Sequence, residues 1–142
     1  MRALLDVNVL IALLDSDHTS HHSARSWFAE HAGAGWASCA ITQNGCIRIM
    51  SHPGYPNARS VFEVAQRLRA AASQTVHEFW AESVSVLNPN VVDPSRIHGP
   101  RQLTDVYLLA LAVSNNARLV TFDQSIAIDA VVGATAFHLV VL

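Results

Sequence analysis

Three aspartates interrupt stretches of this sequence that are otherwise apolar, and carboxylates in such places are costly unless something compensates them. Asp6 lies inside R-A-L-L-D-V-N-V-L-I-A-L-L, Asp105 inside the run Leu103–Val113, and Asp123 follows R-L-V-T-F. Each has a plain alternative: Asp6 or Asp123 could cap a following helix, while a buried helical Asp105 would need a partner. If the three converge, their mutual repulsion calls for a hard cation. Oxygen-only ligands select Mg²⁺ or Mn²⁺ over zinc. Such an ion polarises a phosphoryl oxygen and makes a water acidic enough to attack it in line. The chemistry expected is metal-assisted hydrolysis of a phosphodiester.

The elements that must position these residues can be read from the pattern of the chain. Ala3–Val7 reads as a short buried strand, with Asn8 in the turn or at the N-cap of the next helix. Asp17, Thr19 or Ser20 is expected to cap a second helix with Ala24, Trp27 and Phe28 inward, ended by Gly33 and Gly35. Trp36–Ala40 reads as a strand, and Thr42 as the cap of a helix from Gln43 to about Ser51, before Pro53. Asn57 or Ser60 opens the next helix. His77–Ser83 reads as a short helix and Val84–Leu87 as a strand. After a proline-punctuated loop, Pro100 starts a helix running to about Asn115. Arg118–Phe122 reads as a strand, a short helix spans Ser125–Val131, and Ala136–Leu142 closes the chain as a strand. Alternating strands and helices predict a mostly parallel sheet wrapped by helices, an α/β sandwich. Ligands bind such sheets outside the carboxyl ends of the strands.

Composition narrows the function. At 142 residues one domain is expected. All nine basic side chains are Arg, which excludes P-loop phosphate binding and Schiff-base catalysis, both dependent on Lys. The same lack sets aside receiver domains and haloacid-dehalogenase phosphatases. A net charge of −2 argues against indiscriminate coating of nucleic acid. Charged residues make up only 14% of the chain, against about 25% typically, so a homodimer or protein partner is expected to cover part of the surface. No apolar run is long enough to span a membrane. With no signal-peptide pattern and only Cys39 and Cys46, a cytoplasmic setting is expected.

Other residues invite functional readings. His18, His21 and His22 suggest zinc, but ligands enough for a zinc site are not nearby, so they read as surface histidines at a helix start. Arg25, Arg48 and Arg101 are candidates for RNA phosphate contacts, since a guanidinium forks onto phosphate oxygens. Trp27, Phe28, Phe62, Phe79 and Trp80 read as core or dimer contacts, and both cysteines as buried small apolar residues.

Four segments carry a family resemblance: L-L-D-V-N-V-L-I-A-L, T-Q-N-G-C-I-R-I-M-S-H-P, G-P-R-Q-L-T-D-V-Y-L-L-A-L-A and L-V-T-F-D. Together they resemble the PIN-domain family, and more narrowly the VapC toxins of toxin–antitoxin pairs. The resemblance implies a single PIN domain over 1–142, a three-layer sandwich with a mostly parallel central sheet. It implies a Mg²⁺-dependent (or Mn²⁺-dependent) endoribonuclease acting on a structured RNA such as tRNA. A homodimer neutralised by a VapB antitoxin is implied too. By that likeness Asp6, Asp105 and Asp123 are the metal-site aspartates, with Asn8 and Thr121 as the polar residues beside them. Where most of the family carries a Glu, this chain has Gln43, followed by Asn44 and Gly45. An amide brings no charge and cannot act as a general base near neutral pH. The alternative is therefore a PIN domain that binds RNA or antitoxin without cleaving.

Overall fold

The computed structural model describes residues 1–142. Its strands are short and parallel, and β1 (Ala3–Leu5), the most central, is buried at every position. It pairs with β2 (Trp36–Cys39) on one side and β4 (Arg118–Thr121) on the other, while β3 (His77–Trp80) and β5 (Leu139–Val141) form the edges. The order is β3-β2-β1-β4-β5. Parallel neighbours require crossovers, and these are made by helices: α1 (Val7–Leu14), α2 (His21–His31), α3 (Ala40–Met50), α4 (Val61–Gln74) and α5 (Leu103–Ser114).

Alternation along the strands divides the core into two. Leu4, Ala37, Cys39 and Leu119 face α5 and the loops beside it, whereas Ala3, Leu5, Trp36 and Val120 face α1, α3 and α4. The result is the three-layer sandwich. No helix is long and apolar enough to cross a membrane.

Several expected boundaries and elements differ. Strand β1 stops at Leu5, and Asp6 rather than Asn8 caps α1, its carboxylate accepting from the Val7 N–H. Helix α3 begins at Ala40 after Cys39, so Thr42 lies in its first turn and its hydroxyl accepts from the Cys39 N–H. His77–Ser83 is not a helix: His77–Trp80 is an edge strand, because pairing with β2 from Trp36 to Cys39 outweighs a weak local pattern. Val84–Leu87 is not a strand. Its Val84 and Val86 pack on the core around α5 while Leu87 points outward. Of the helix expected over Ser125–Val131 only a 3₁₀ turn at Ile128–Ala130 forms, since Val131 pairs with Val92 in an antiparallel bridge. Ala136–His138 is likewise a 3₁₀ turn, and strand β5 starts at Leu139. Phe62 and Phe79 are exposed, so they are not part of this chain's core.

Candidate active site

Asp6 closes β1 and opens α1, which places its carboxylate at the carboxyl edge of the sheet, 5% exposed. One oxygen accepts from the Val7 N–H at 2.7 Å; the other accepts from the buried Thr121 hydroxyl at 2.7 Å. Thr121 is the last residue of β4. Its hydroxyl oxygen also accepts from the Asp123 N–H at 3.0 Å and from the Asn8 side-chain amide at 3.3 Å. The Asn8 carbonyl oxygen accepts in turn from the Phe122 N–H at 3.3 Å. Thus Asn8 and Thr121 stitch the start of α1 to the end of β4, and a single hydroxyl ties two of the three aspartates together.

Asp105 was expected in mid-helix. It lies instead in the first turn of α5, half-buried, after a 3₁₀ turn at Pro100–Gln102. Burial, then the charge of Asp6, then the hydrogen bond with Asp123 push its carboxyl up to about 7. Asp123 moves the other way, below the usual carboxylate range, because the Ser125 hydroxyl and N–H both donate to it. Their surroundings thus favour the protonated form of Asp105 and the charged form of Asp123. Burial also raises Asp6 against the pull of its two donors, with the Asp123 charge adding to the rise.

No cation of the protein answers this charge. The ion pairs are Arg2–Glu78, Arg59–Glu63, Arg96–Asp93 and Arg96–Asp129, none of which includes a member of the trio. As the side chains stand, no three His, Cys, Asp or Glu groups are gathered closely enough to hold an ion, and both Asp6 oxygens accept hydrogen bonds. The donor set nonetheless fits a hard divalent ion. It is all carboxylate, partly desolvated, and held against its own repulsion by hydrogen bonds and a proton.

The remaining candidates scatter. Gln43, in the first turns of α3, donates its amide to Ser38 at 3.0 Å, and Ser38 pairs with His77 Nε2 at 2.8 Å. Its hydrogen bond is thus to β2, not to an aspartate. Asn44 is exposed, and Gly45 is pressed against Val7 with no room for a side chain. Arg101 precedes α5 and is exposed on the stretch leading to Asp105. Arg48 lines an open cleft with His52 and Tyr55 at the far end of α3, and Arg25 borders an apolar groove with Leu13, Phe28 and Leu68. Among the histidines, His21 bonds the Ala12 carbonyl and His18 accepts from the Ser20 N–H. Sequence reasoning passed over Ser125 and Gln102. The D-Q-S spacing is a turn signature that could have marked Ser125, whereas nothing local marks Gln102.

Comparison with known proteins bears on the family and the fold. The profile of the PIN domain matches residues 3–132. The chain is 56% identical to Ribonuclease VapC44 of Mycobacterium tuberculosis over 142 residues, all of both chains. It is 39% identical to Ribonuclease VapC39 of the same organism over 140 residues, covering 94% of this chain and 96% of that one. A structure of VapBC2 from Rickettsia felis, bound to a DNA fragment from its promoter, superposes with a TM-score of 0.55. At 15% identity, covering 88% of this chain and 90% of that one, it shares the fold. A profile match over most of the residues and end-to-end relatives make this chain a member of the PIN-domain family, among its VapC-type proteins.

Proposed function

We propose that this protein is a VapC-type toxin, a divalent-metal-dependent endoribonuclease that hydrolyses phosphodiester bonds of a structured RNA such as tRNA. On this reading it works in the cytoplasm as a homodimer and is neutralised by a VapB-type antitoxin. The observation that carries the proposal is that Asp6, Asp105 and Asp123, drawn from three separate elements, lie near enough to shift one another's carboxyls, with no basic side chain paired to them. The relatives named Ribonuclease supply the substrate class.

Asp6, Asp105 and Asp123 would hold Mg²⁺ or Mn²⁺, which supplies a Lewis acid for the phosphoryl group and a source of hydroxide at neutral pH. Thr121 and Asn8 fix the carboxylate of Asp6 and the backbone at Phe122 and Asp123. Asp105, raised by burial and neighbouring charge, would give up its proton to a bound cation. Arg101, exposed just before α5, would draw an RNA phosphate toward the trio, and Arg48 and Arg25 would contact other parts of an RNA. Gln43 assists only if its amide leaves Ser38.

That amide also favours a second reading, a domain that binds RNA or antitoxin without cutting, since no fourth charge is present. One experiment separates them. Purified protein is incubated with total tRNA at graded Mg²⁺ and Mn²⁺, and the 5′ ends of the products are sequenced. The nuclease reading expects discrete ends that vanish with EDTA and in Asp6→Asn, which keeps the helix cap. It also expects Gln43→Glu to lower the Mg²⁺ concentration needed. No cleavage at any metal concentration would leave the binding-only reading, and an unchanged Mg²⁺ requirement in Gln43→Glu would remove Gln43 from the site.

A further inference from the structure

Asp123 lies just past β4, in a stretch from Phe122 to Ala127 without regular secondary structure. Two carboxylates of like charge, there and on α5, repel each other, and that repulsion pushes such a stretch outward. Two side chains oppose that motion. Ser125 donates to one Asp123 carboxylate oxygen twice, from its N–H at 2.7 Å and its hydroxyl at 2.6 Å, which leaves the other oxygen for Asp105 or a cation. Gln102 spans the gap to α5: its amide donates to the Ser125 carbonyl at 3.2 Å, while its own carbonyl accepts from the His98 N–H at 2.9 Å.

Gln102 lies one helical turn before Asp105 and Ser125 lies two residues after Asp123, so the Gln102–Ser125 bond ties together the two segments that carry these carboxylates. We propose that Gln102 and Ser125 are positioning residues for the metal site, a clamp that fixes the separation of the Asp105 and Asp123 carboxylates. The proposal rests on the nuclease reading above. The clamp touches neither ion nor RNA. Hydrogen-bond partners of metal-binding carboxylates commonly govern affinity in this way, and their loss costs about 10- to 100-fold.

The chain supplies its own control. Asp93 and Ser95 repeat the same local arrangement, with the Ser95 N–H at 3.1 Å and hydroxyl at 2.6 Å from one Asp93 oxygen, but Asp93 pairs with Arg96 and belongs to no acidic group. Mn²⁺ affinity of the full chain is measured by calorimetry, alongside the melting temperature in EDTA. Gln102→Ala and Ser125→Ala are expected to weaken Mn²⁺ about tenfold or more. Ser125→Thr, which keeps the hydroxyl, and Ser95→Ala should bind like the wild type. Wild-type affinity within about twofold in both Gln102→Ala and Ser125→Ala would overturn the clamp, as would equal weakening in Ser95→Ala. A drop confined to the melting temperature would count against it equally. If instead the wild type binds no Mn²⁺, or Asp123→Asn binds as well as the wild type, the metal-site reading itself falls.

Discussion

The half-buried Asp105 carboxyl, raised by burial and by the neighbouring Asp6 charge, couples the stability of this protein to pH. Folding raises Asp105 to about 7 from an ordinary 3.8, so between those values the folded chain holds a proton that the unfolded chain has released. Stability from this group is therefore complete below pH 4 and is lost as pH rises through 7. The check is a melting series in EDTA for wild type and Asp105→Asn. The variant should gain on the wild type as pH climbs from 4 to 7, and Mn²⁺ at pH 7.5 should raise the wild-type melting temperature more. A gap that stays constant with pH would show that folding does not raise the Asp105 carboxyl. At this scale the sequence was informative wherever a charge broke an apolar run: Asp6, Asp105 and Asp123 all stand out. Ser125 and Gln102 do not, because a serine in a turn and a glutamine before a helix look the same whether or not they touch something distant. The capping and cluster readings of Asp6 also proved compatible, since one oxygen serves the helix and the other the Thr121 hydroxyl.

Among the elements, α1 and α3 set the geometry behind the site, and they approach closely because Gly45 has no side chain. A Cβ there would lie 2.8 Å from one Val7 methyl and 3.4 Å from the other. Val7 is β-branched and helical, with little rotamer freedom to retreat. Gly45→Ala is expected to cost about 1–3 kcal/mol by urea denaturation, and Val7→Ala in the same chain should restore part of it. A neutral Gly45→Ala would mean that the helices part without strain. The same contact leaves no room for an acid at position 45. Helices were legible from their periodicity and caps, as with Ser60 before α4. The edge strand β3 was not, because its conformation comes from β2 rather than from His77–Trp80 themselves. Asp105 was misplaced along its helix for a related reason: the start of α5 is softened by a 3₁₀ turn that hydropathy does not mark.

For the molecule as a whole, an apolar surface and sparse charge remain to be accounted for. Val61 and Phe62 at the start of α4 are 61% and 71% exposed, and Val76 and Phe79 near the β3 edge are more than half exposed. Surfaces of this kind are usually covered. Light scattering is expected to give twice the mass of the chain in solution, and a monomer at high concentration would remove the homodimer from the proposal. The sandwich itself was readable from alternating elements. Strand order was not, since it depends on pairings between residues far apart in sequence.

The bond between Asp6 and Thr121 joins residues 115 positions apart. Because β1 is central, a growing chain can pair it with β2 early, but its other side stays open until β4 has been synthesised. Chains emerge vectorially, at about 5–20 residues per second, so the acidic cluster cannot assemble until nearly the entire polypeptide has left the ribosome. A truncated product lacks it altogether. A chain cut short before β4 therefore carries Asp6 with no hydroxyl for its second carboxylate oxygen.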